Sequence, residues 1–292
     1  MSHLADCVLQ EGEPWSAGLY EQSWADYRAT AALNPSTIVH GFQSMLHLHH
    51  AWYAPHKDTP NMQWGRAVHT LLLEPRTFED RYRCWSGRRA GNEYKAFKEA
   101  ADEVGAEVLK DEGEFCMDWV EQAAQQVLRN PRVLELVESG QAERAVTAVD
   151  HGMKCRGRID WISGSQGRLV DVKTTRSLRT FSLDFFRLHY DVKLGLYQHW
   201  LNQATNAFWP VEVIVIENHP PFDAICIPVP DAVLDRGAVR GLRVIEQVRQ
   251  CIEADCWPGA GGEEGVGTLD VPSWCMDDDD ELEGAEEVLY EE

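Results

Sequence analysis

The feature that most narrows what this chain can fold into lies between Glu143 and Thr175. Three β-rich runs, "ERAVTAV", "MKCRGRIDWI" and "RLVDVKTT", are separated by "DHG" and "SGSQG". Short clusters of Gly, Ser and Asp join adjacent antiparallel strands, so the segment predicts a three-stranded meander. The rest of the chain must pack around it. Upstream, "NPSTIVHGFQSMLHLHHAWY" offers Ser36 or Thr37 as an N-cap before helix-spaced apolar residues, and "QWGRAVHTLLLEP" predicts a second helix ended by Pro75. Helices continue over residues 93–138, with Pro131 at a first turn. Downstream, Tyr190, Lys193, Leu194, Tyr197 and Leu201 share one helical face, "WPVEVIVIEN" and "FDAICIPVP" read as strands, and Leu234, Ala238, Leu242, Ile245, Val248 and Ile252 mark a last amphipathic helix. The expected class is α/β with a mostly helical N-terminal half. Residues 1–29 are expected as an N-terminal segment, 30–258 as one domain and 259–292 as a Gly-rich, acidic, flexible tail.

Composition limits the functional classes. At 292 residues, 44% hydrophobic and 26% charged, the chain has the makeup of a soluble globular protein. No apolar run approaches the roughly 18 residues that suggest a membrane-spanning helix, and "MSHLADCVLQEGEPW" lacks a signal-peptide layout, so a cytoplasmic protein without a membrane partner is expected. Its eight scattered cysteines fit reduced thiols. The net charge of −21 argues at first against nucleic acid. Ten acids and no base lie in "MDDDDELEGAEEVLYEE", however, which leaves −11 for the remainder. Such a block reads as a solvated tail, and "SGRRAGNEYKAFK" and "KTTRSLRTF" are basic enough to line a positive groove.

Within the meander, "VDVK" places Asp171 and Lys173 on one strand face, with Val170 and Val172 on the other. A lone Asp-x-Lys is ordinarily a surface pair. Here the preceding strand carries Asp160, and antiparallel pairing lets Asp160 and Asp171 meet. Adjacent carboxylates raise each other's pKa unless a cation lies between them. Two acids with a lysine suit Mg²⁺-assisted phosphodiester hydrolysis, in which the acids hold the ion and Lys173 acts on water and phosphate.

These residues resemble the D-x(n)-(D/E)-x-K signature of the PD-(D/E)xK nuclease superfamily, with Asp160, Asp171 and Lys173 in its three places. More closely, "LNPSTIVHGF", "WGRAVHTLLLEPRTFEDRY", "RGRIDWI", "VDVKTT" and "YDVKLGLYQHWL", in that order, resemble the RecE-type exonucleases (exonuclease VIII) of phages and prophages over residues 30–258. The resemblance implies a PD-(D/E)xK nuclease core, a central mixed β-sheet flanked by helices, that digests duplex DNA from 5′ to 3′, leaving 3′ single-stranded overhangs for recombination. It further implies Mg²⁺ with Mn²⁺ as substitute, a ring-shaped homo-oligomer (trimer or tetramer) on double-stranded DNA ends, and a single-strand annealing protein as partner. The G-x-x-x-H of Gly65 to His69 is similar to the histidine motif of RecB-type nucleases, which by analogy places His69 with Asp160, Asp171 and the Val172 carbonyl around a metal. Tyr197 falls at the family's helix tyrosine, and Lys193 stands where a glutamine is usual. Arg28, Ser36 and Thr37 are carried over as 5′-phosphate ligands, with Arg66 and Thr174 as further DNA contacts, while a capping role competes for the two hydroxyls of Ser36 and Thr37.

Other readings stay open. Glu143 is either a further acid near the site or a solvated strand end. The histidines of "HLHH", His47 to His50, face different directions on a helix and are expected in solvent. Cys251, Cys256 and Cys275 do not have the spacing of an iron–sulfur site. A repair or restriction-like endonuclease on the same core is the second functional reading, and a catalytically degenerate DNA-binding or regulatory module is a third.

Overall fold

The structure is a computed structural model and describes residues 3–55, 57–262 and 265–266. The chain divides into Met1–Trp257 and Pro258–Glu292. The second part, in its described residues, is a turn bridged between Gly259 and Gly262. Asp277 onward and Cys275 lie outside the described residues.

The strands are β1 (Gly18–Tyr20), β2 (Tyr82–Trp85), β3 (Glu107–Lys110), β4 (Gly140–Asp150), β5 (Met153–Ser163), β6 (Arg168–Thr175), β7 (Val211–Glu217) and β8 (Ala224–Pro228). The helices are α1 (Trp24–Ala29), α2 (Pro35–Ile38), α3 (Met45–Tyr53), α4 (Pro60–Leu73), α5 (Phe78–Arg81), α6 (Asn92–Glu103), α7 (Met117–Val127), α8 (Pro131–Val137), α9 (Phe181–Arg187), α10 (Tyr190–Thr205) and α11 (Asp231–Ala254). Six strands form one mixed sheet in the order β1-β4-β5-β6-β7-β8, and β2 pairs with β3 in a small parallel sheet. The meander is β4, β5 and β6, antiparallel throughout. A crossover through α9 and α10 then sets β7 parallel to β6. This is the mixed α/β architecture expected from the sequence.

Two apolar cores follow from the alternation of the central strands. Leu169, Val213 and Val215 face Leu48, Leu194, Trp200 and Ile245 of α3, α10 and α11. Val170, Val172, Ile214 and Ile216 face Trp64, Val68, Leu72 and Val120 of α4 and α7. Burying a large apolar side chain contributes about 1.5–3 kcal/mol, so both faces anchor the sheet. The helices α10 and α11 meet backbone to backbone. A Cβ on Gly195 would strike the Leu234 carbonyl, and one on Gly237 the Asp191 carbonyl.

The N-terminal half departs from the expected pattern. The stretch read as one helix from Ser36 or Thr37 is broken into α2, a 3-10 turn over Val39–Phe42, and α3. Asn34 caps α2 by accepting the Thr37 N–H at 3.0 Å, and Ser44 caps α3 by accepting the His47 N–H at 3.2 Å. Neither Ser36 nor Thr37 is therefore the cap. Strands β2 and β3 lie within the region read as helical. Of the "HLHH" residues, His47 and His50 are exposed, whereas His49 packs between Tyr53 and Trp257 at ring separations of 5.0 and 4.5 Å. The seven described cysteines are all free thiols.

Candidate active site

The site forms where the edge of β5 is uncovered. On that edge Leu33 bridges Cys155, and β6 pairs with Trp161, Ile162 and Ser163. Between these contacts the strands splay. The β5–β6 ladder stops at Trp161 and Val170, and the Val172 N–H donates to the Asp160 carboxylate at 2.9 Å instead of to a strand carbonyl. From the other side of β5, Glu143 on β4 lies between the registered pairs Ala142–Trp161 and Arg144–Ile159, opposite Asp160. Its φ of 53° is in the left-handed region that non-glycine residues avoid, which interrupts the ladder there.

Helix α4 brings His69 onto this gap. Its Nδ1 lies 3.3 Å from Glu143 Oε1 and its Nε2 lies 3.1 Å from Asp160 Oδ2. Gly65, one turn earlier, lets α4 approach β6, since a Cβ there would sit 3.2 Å from the Thr174 hydroxyl. Lys173 lies 2.5 Å from Asp171 Oδ2 and 3.9 Å from Asp160 Oδ2, and its ammonium donates to the Val172 carbonyl at 3.3 Å. Arg158, two residues before Asp160 on β5, donates to Glu143.

Burial and mutual charge set the ionisation. Burial opposes a charge on His69, but Asp160 and Glu143 outweigh it and hold the imidazole up at about 9. Burial likewise opposes the Asp160 carboxylate, yet His69, Lys173 and the Val172 N–H keep it well below the usual carboxylate range. Asp171 is pushed up to about 7, first by burial and then by Asp160, against the pull of Lys173. Burial also pushes Glu143 up. Asp171 and Asp160 hold Lys173 above the ordinary lysine range despite its burial.

The donor set fits a divalent cation. Ligand atoms of His69, Glu143 and Asp160 lie within 4.8 Å of one another, and carboxylate oxygens with one imidazole suit Mg²⁺ or Mn²⁺. Glu143 thus belongs to the cluster, a place its position at the start of a β-rich run did not reveal. Asp171 and the Val172 carbonyl border the cluster, where Lys173 now contacts both.

The remaining sequence-derived residues divide. Lys193 reaches the site, its ammonium 5.3 Å from the Tyr190 ring centre. Tyr197 packs on Gly157, where a Cβ would meet its ring at 2.6 Å, and burial pushes its hydroxyl up, with Tyr27, Asp160, Asp171 and Glu143 adding to the effect. Gln198 is buried and donates to the Trp209 carbonyl at 2.9 Å, so it holds α10 to its following loop. Arg28 and Ser36 are exposed on α1 and α2, and the Thr37 hydroxyl faces Asn34 Oδ1 at 3.4 Å. Arg66 is not free for DNA in this arrangement. It makes paired contacts to Asp58 at 2.8 and 2.9 Å and to Glu107 at 3.2 and 2.8 Å.

A mixed sheet that splays at an acid-rich meander, with lysine and histidine drawn into the gap, defines a PD-(D/E)xK-type nuclease core. The chain belongs to the family described as "PDDEXK-like domain of unknown function (DUF3799)", whose model matches residues 41–265. Among solved structures it is similar to a protein from Eubacterium rectale named "Putative exonuclease", at a TM-score of 0.61 and 13% identity over 89% of this chain and 99% of that one. That likeness is one of fold. No curated protein is significantly similar in sequence. Family and fold together support a nuclease. Among the described residues no helix is long and apolar enough to cross a membrane.

Proposed function

We propose that the protein is a Mg²⁺-dependent deoxyribonuclease that digests duplex DNA from its ends, 5′ to 3′, and leaves 3′ single-stranded overhangs. The observation that carries the reading is the convergence of His69, Glu143 and Asp160 beside the Asp171–Lys173 pair. His69, Glu143 and Asp160, with Asp171 and the Val172 carbonyl alongside, would hold the ion, and Mn²⁺ has the same ligand preference. The bound ion supplies Lewis acidity toward a phosphodiester.

The chain's own groups account for the rest. Glu143, Asp160 and Asp171 face Arg158, Lys173 and protonated His69, so the fully ionised cluster is neutral. Exchanging the His69 proton for a divalent ion leaves one net positive charge, suited to one phosphodiester anion. Lys173, held by Asp171, would hold the attacking water and stabilise charge developing on phosphorus as the bond to the leaving oxygen breaks. Lys193 adds a second cation for a neighbouring phosphate.

The polarity, the cytoplasmic setting, a trimeric or tetrameric ring on DNA ends and an annealing-protein partner belong to the same proposal, supported by the ordered RecE-type motifs. A repair or restriction-like endonuclease would use the same cluster. Closed circular and end-labelled linear duplex, each with Mg²⁺ and with EDTA, separate the two. Linear duplex should lose its 5′ label first while circles persist. Cutting of closed circles would favour the endonuclease, and no Mg²⁺-dependent cutting of either would remove both.

A further inference from the structure

Next to the acid cluster, α1 carries two rings that the chemistry above leaves unused, and the β5 arginines Arg156 and Arg158 lie against them. Trp24 and Tyr27 stack with ring centres 5.6 Å apart and planes 13° from parallel. Tyr27 is buried, whereas Trp24 is 55% exposed. The Arg158 guanidinium lies 5.2 Å from the Trp24 ring centre and 5.8 Å from that of Tyr27. It also donates to the Gln22 carbonyl at 3.1 Å and to Glu143, which ties the stack to the acid cluster.

Arg156 lies two residues along β5, 4.4 Å over the other ring, Tyr27. It is only 8% exposed, yet its Nε and Nη1 find no hydrogen-bond partner and its charge no carboxylate among the described residues. A buried guanidinium left this way costs stability, and an arriving anion offsets that cost. Glu143 balances Arg158, so on a chain of net charge −21 the uncompensated guanidinium of Arg156 is the local feature that favours the approach of a polyanion. An exposed indole backed by a ring and a cation is the surface that stacks nucleobases, with little regard to sequence because every base has a π-face.

We propose that Trp24, Tyr27, Arg156 and Arg158 form a binding site for a single-stranded stretch of DNA adjoining the bond that is cut. One nucleobase stacks on Trp24, and the uncompensated charge of Arg156 draws the adjoining phosphate. The assignment of the strand as substrate rests on the nuclease reading; the stacking chemistry does not.

The test measures binding of a labelled thymidine oligomer, and of an abasic oligomer of equal length, to the full chain in EDTA, where cutting plays no part. Trp24→Ala should weaken thymidine binding about 5- to 150-fold and leave abasic binding near wild type, with Trp24→Phe recovering most of the loss. Arg156→Gln should weaken both oligomers and lower the salt slope by about 0.7. Unchanged thymidine affinity in Trp24→Ala, or an equal loss for the abasic oligomer, would overturn the site. If wild-type protein shows this binding pattern but cuts no DNA with Mg²⁺, the site stands and the nuclease reading falls.

Discussion

Lys173 and Lys193 place their ammonium groups over the same Tyr190 ring, at 5.4 and 5.3 Å from its centre. They are not equivalent. Carboxylates hold Lys173 up, whereas burial and then the charge of Lys173 lower Lys193 to about 8. Lys193 is therefore charged below about pH 8 and loses its proton above it. Asp171 near 7 and His69 near 9 titrate in the same site, so the quantity that isolates Lys193 is the ratio of wild-type to Lys193→Gln DNA-end affinity in EDTA; if Lys193 contacts phosphate by charge, that ratio falls as pH rises through about 8. Lys193→Gln should bind more weakly below that pH, and Lys193→Ala should cut turnover about 10- to 150-fold, the worth of one charged contact. Wild-type kinetics in Lys193→Ala would show the position to be idle.

Asp171 tests the lysine-positioning role. Its carboxyl rises from 3.8 to about 7 on folding, so the folded protein holds that proton more tightly than the unfolded chain does. Ionising it costs stability progressively as pH climbs through that window, and the cost is complete above about 7. Asp171→Asn cannot ionise. Its melting temperature relative to wild type should rise between pH 5 and pH 8, by about 2–4 °C per kcal/mol, while cleavage falls about 100- to 1,000-fold. Full turnover in a folded Asp171→Asn protein would end the proposed mechanism.

At Glu143 the carboxylate and the backbone conformation can be separated. Glu143→Gln keeps the left-handed φ and removes the charge, while Glu143→Gly removes both charge and strain. Both should reduce the melting-temperature rise produced by Mn²⁺, with metal affinity about 10- to 100-fold lower. Glu143→Gly should be the more stable of the two by about 1 kcal/mol. Equal Mn²⁺ stabilisation in wild type and Glu143→Gln would place Glu143 outside the metal site.

The contact of Tyr197 with Gly157 separates packing from chemistry. Gly157→Ala forces the ring away from β5 and should destabilise by about 1–3 kcal/mol. Tyr197→Phe keeps the ring, so its melting temperature should stay near wild type while turnover drops. Unchanged turnover would leave Tyr197 a purely structural residue.

The sequence made the meander readable because Val170 and Val172 alternate with Asp171 and Lys173 between unmistakable turns. The spacing on α10 and α11 was equally clear, since Leu194, Leu201, Ile245 and Val248 all lie in one core. Glu143 was ambiguous because its importance comes from register, opposite Asp160, and from a backbone angle that residue type does not predict. Arg66 reads as a DNA contact from the sequence alone, and its pairing with Glu107 of β3 is a tertiary contact that no spacing announces. The short strands β2 and β3 carry too few residues for alternation to outweigh the helical pattern around them. Asn34 and Ser44 are the caps in the fold, and the sequence does not single them out because Ser36 and Thr37 offer the same chemistry nearby.

The glycine contact between α10 and α11 bears on how firmly the candidate site is held. Where two helices touch through Gly195 and Gly237, there are no intervening side chains to change rotamer and let one helix slide along the other. The helix that carries Lys193 and Tyr197 is thus held at backbone stiffness against the rest of the domain. On the proposed reading, the Lys193 ammonium would meet a phosphate without a shift of its helix, so that the ordering of the site is completed during folding.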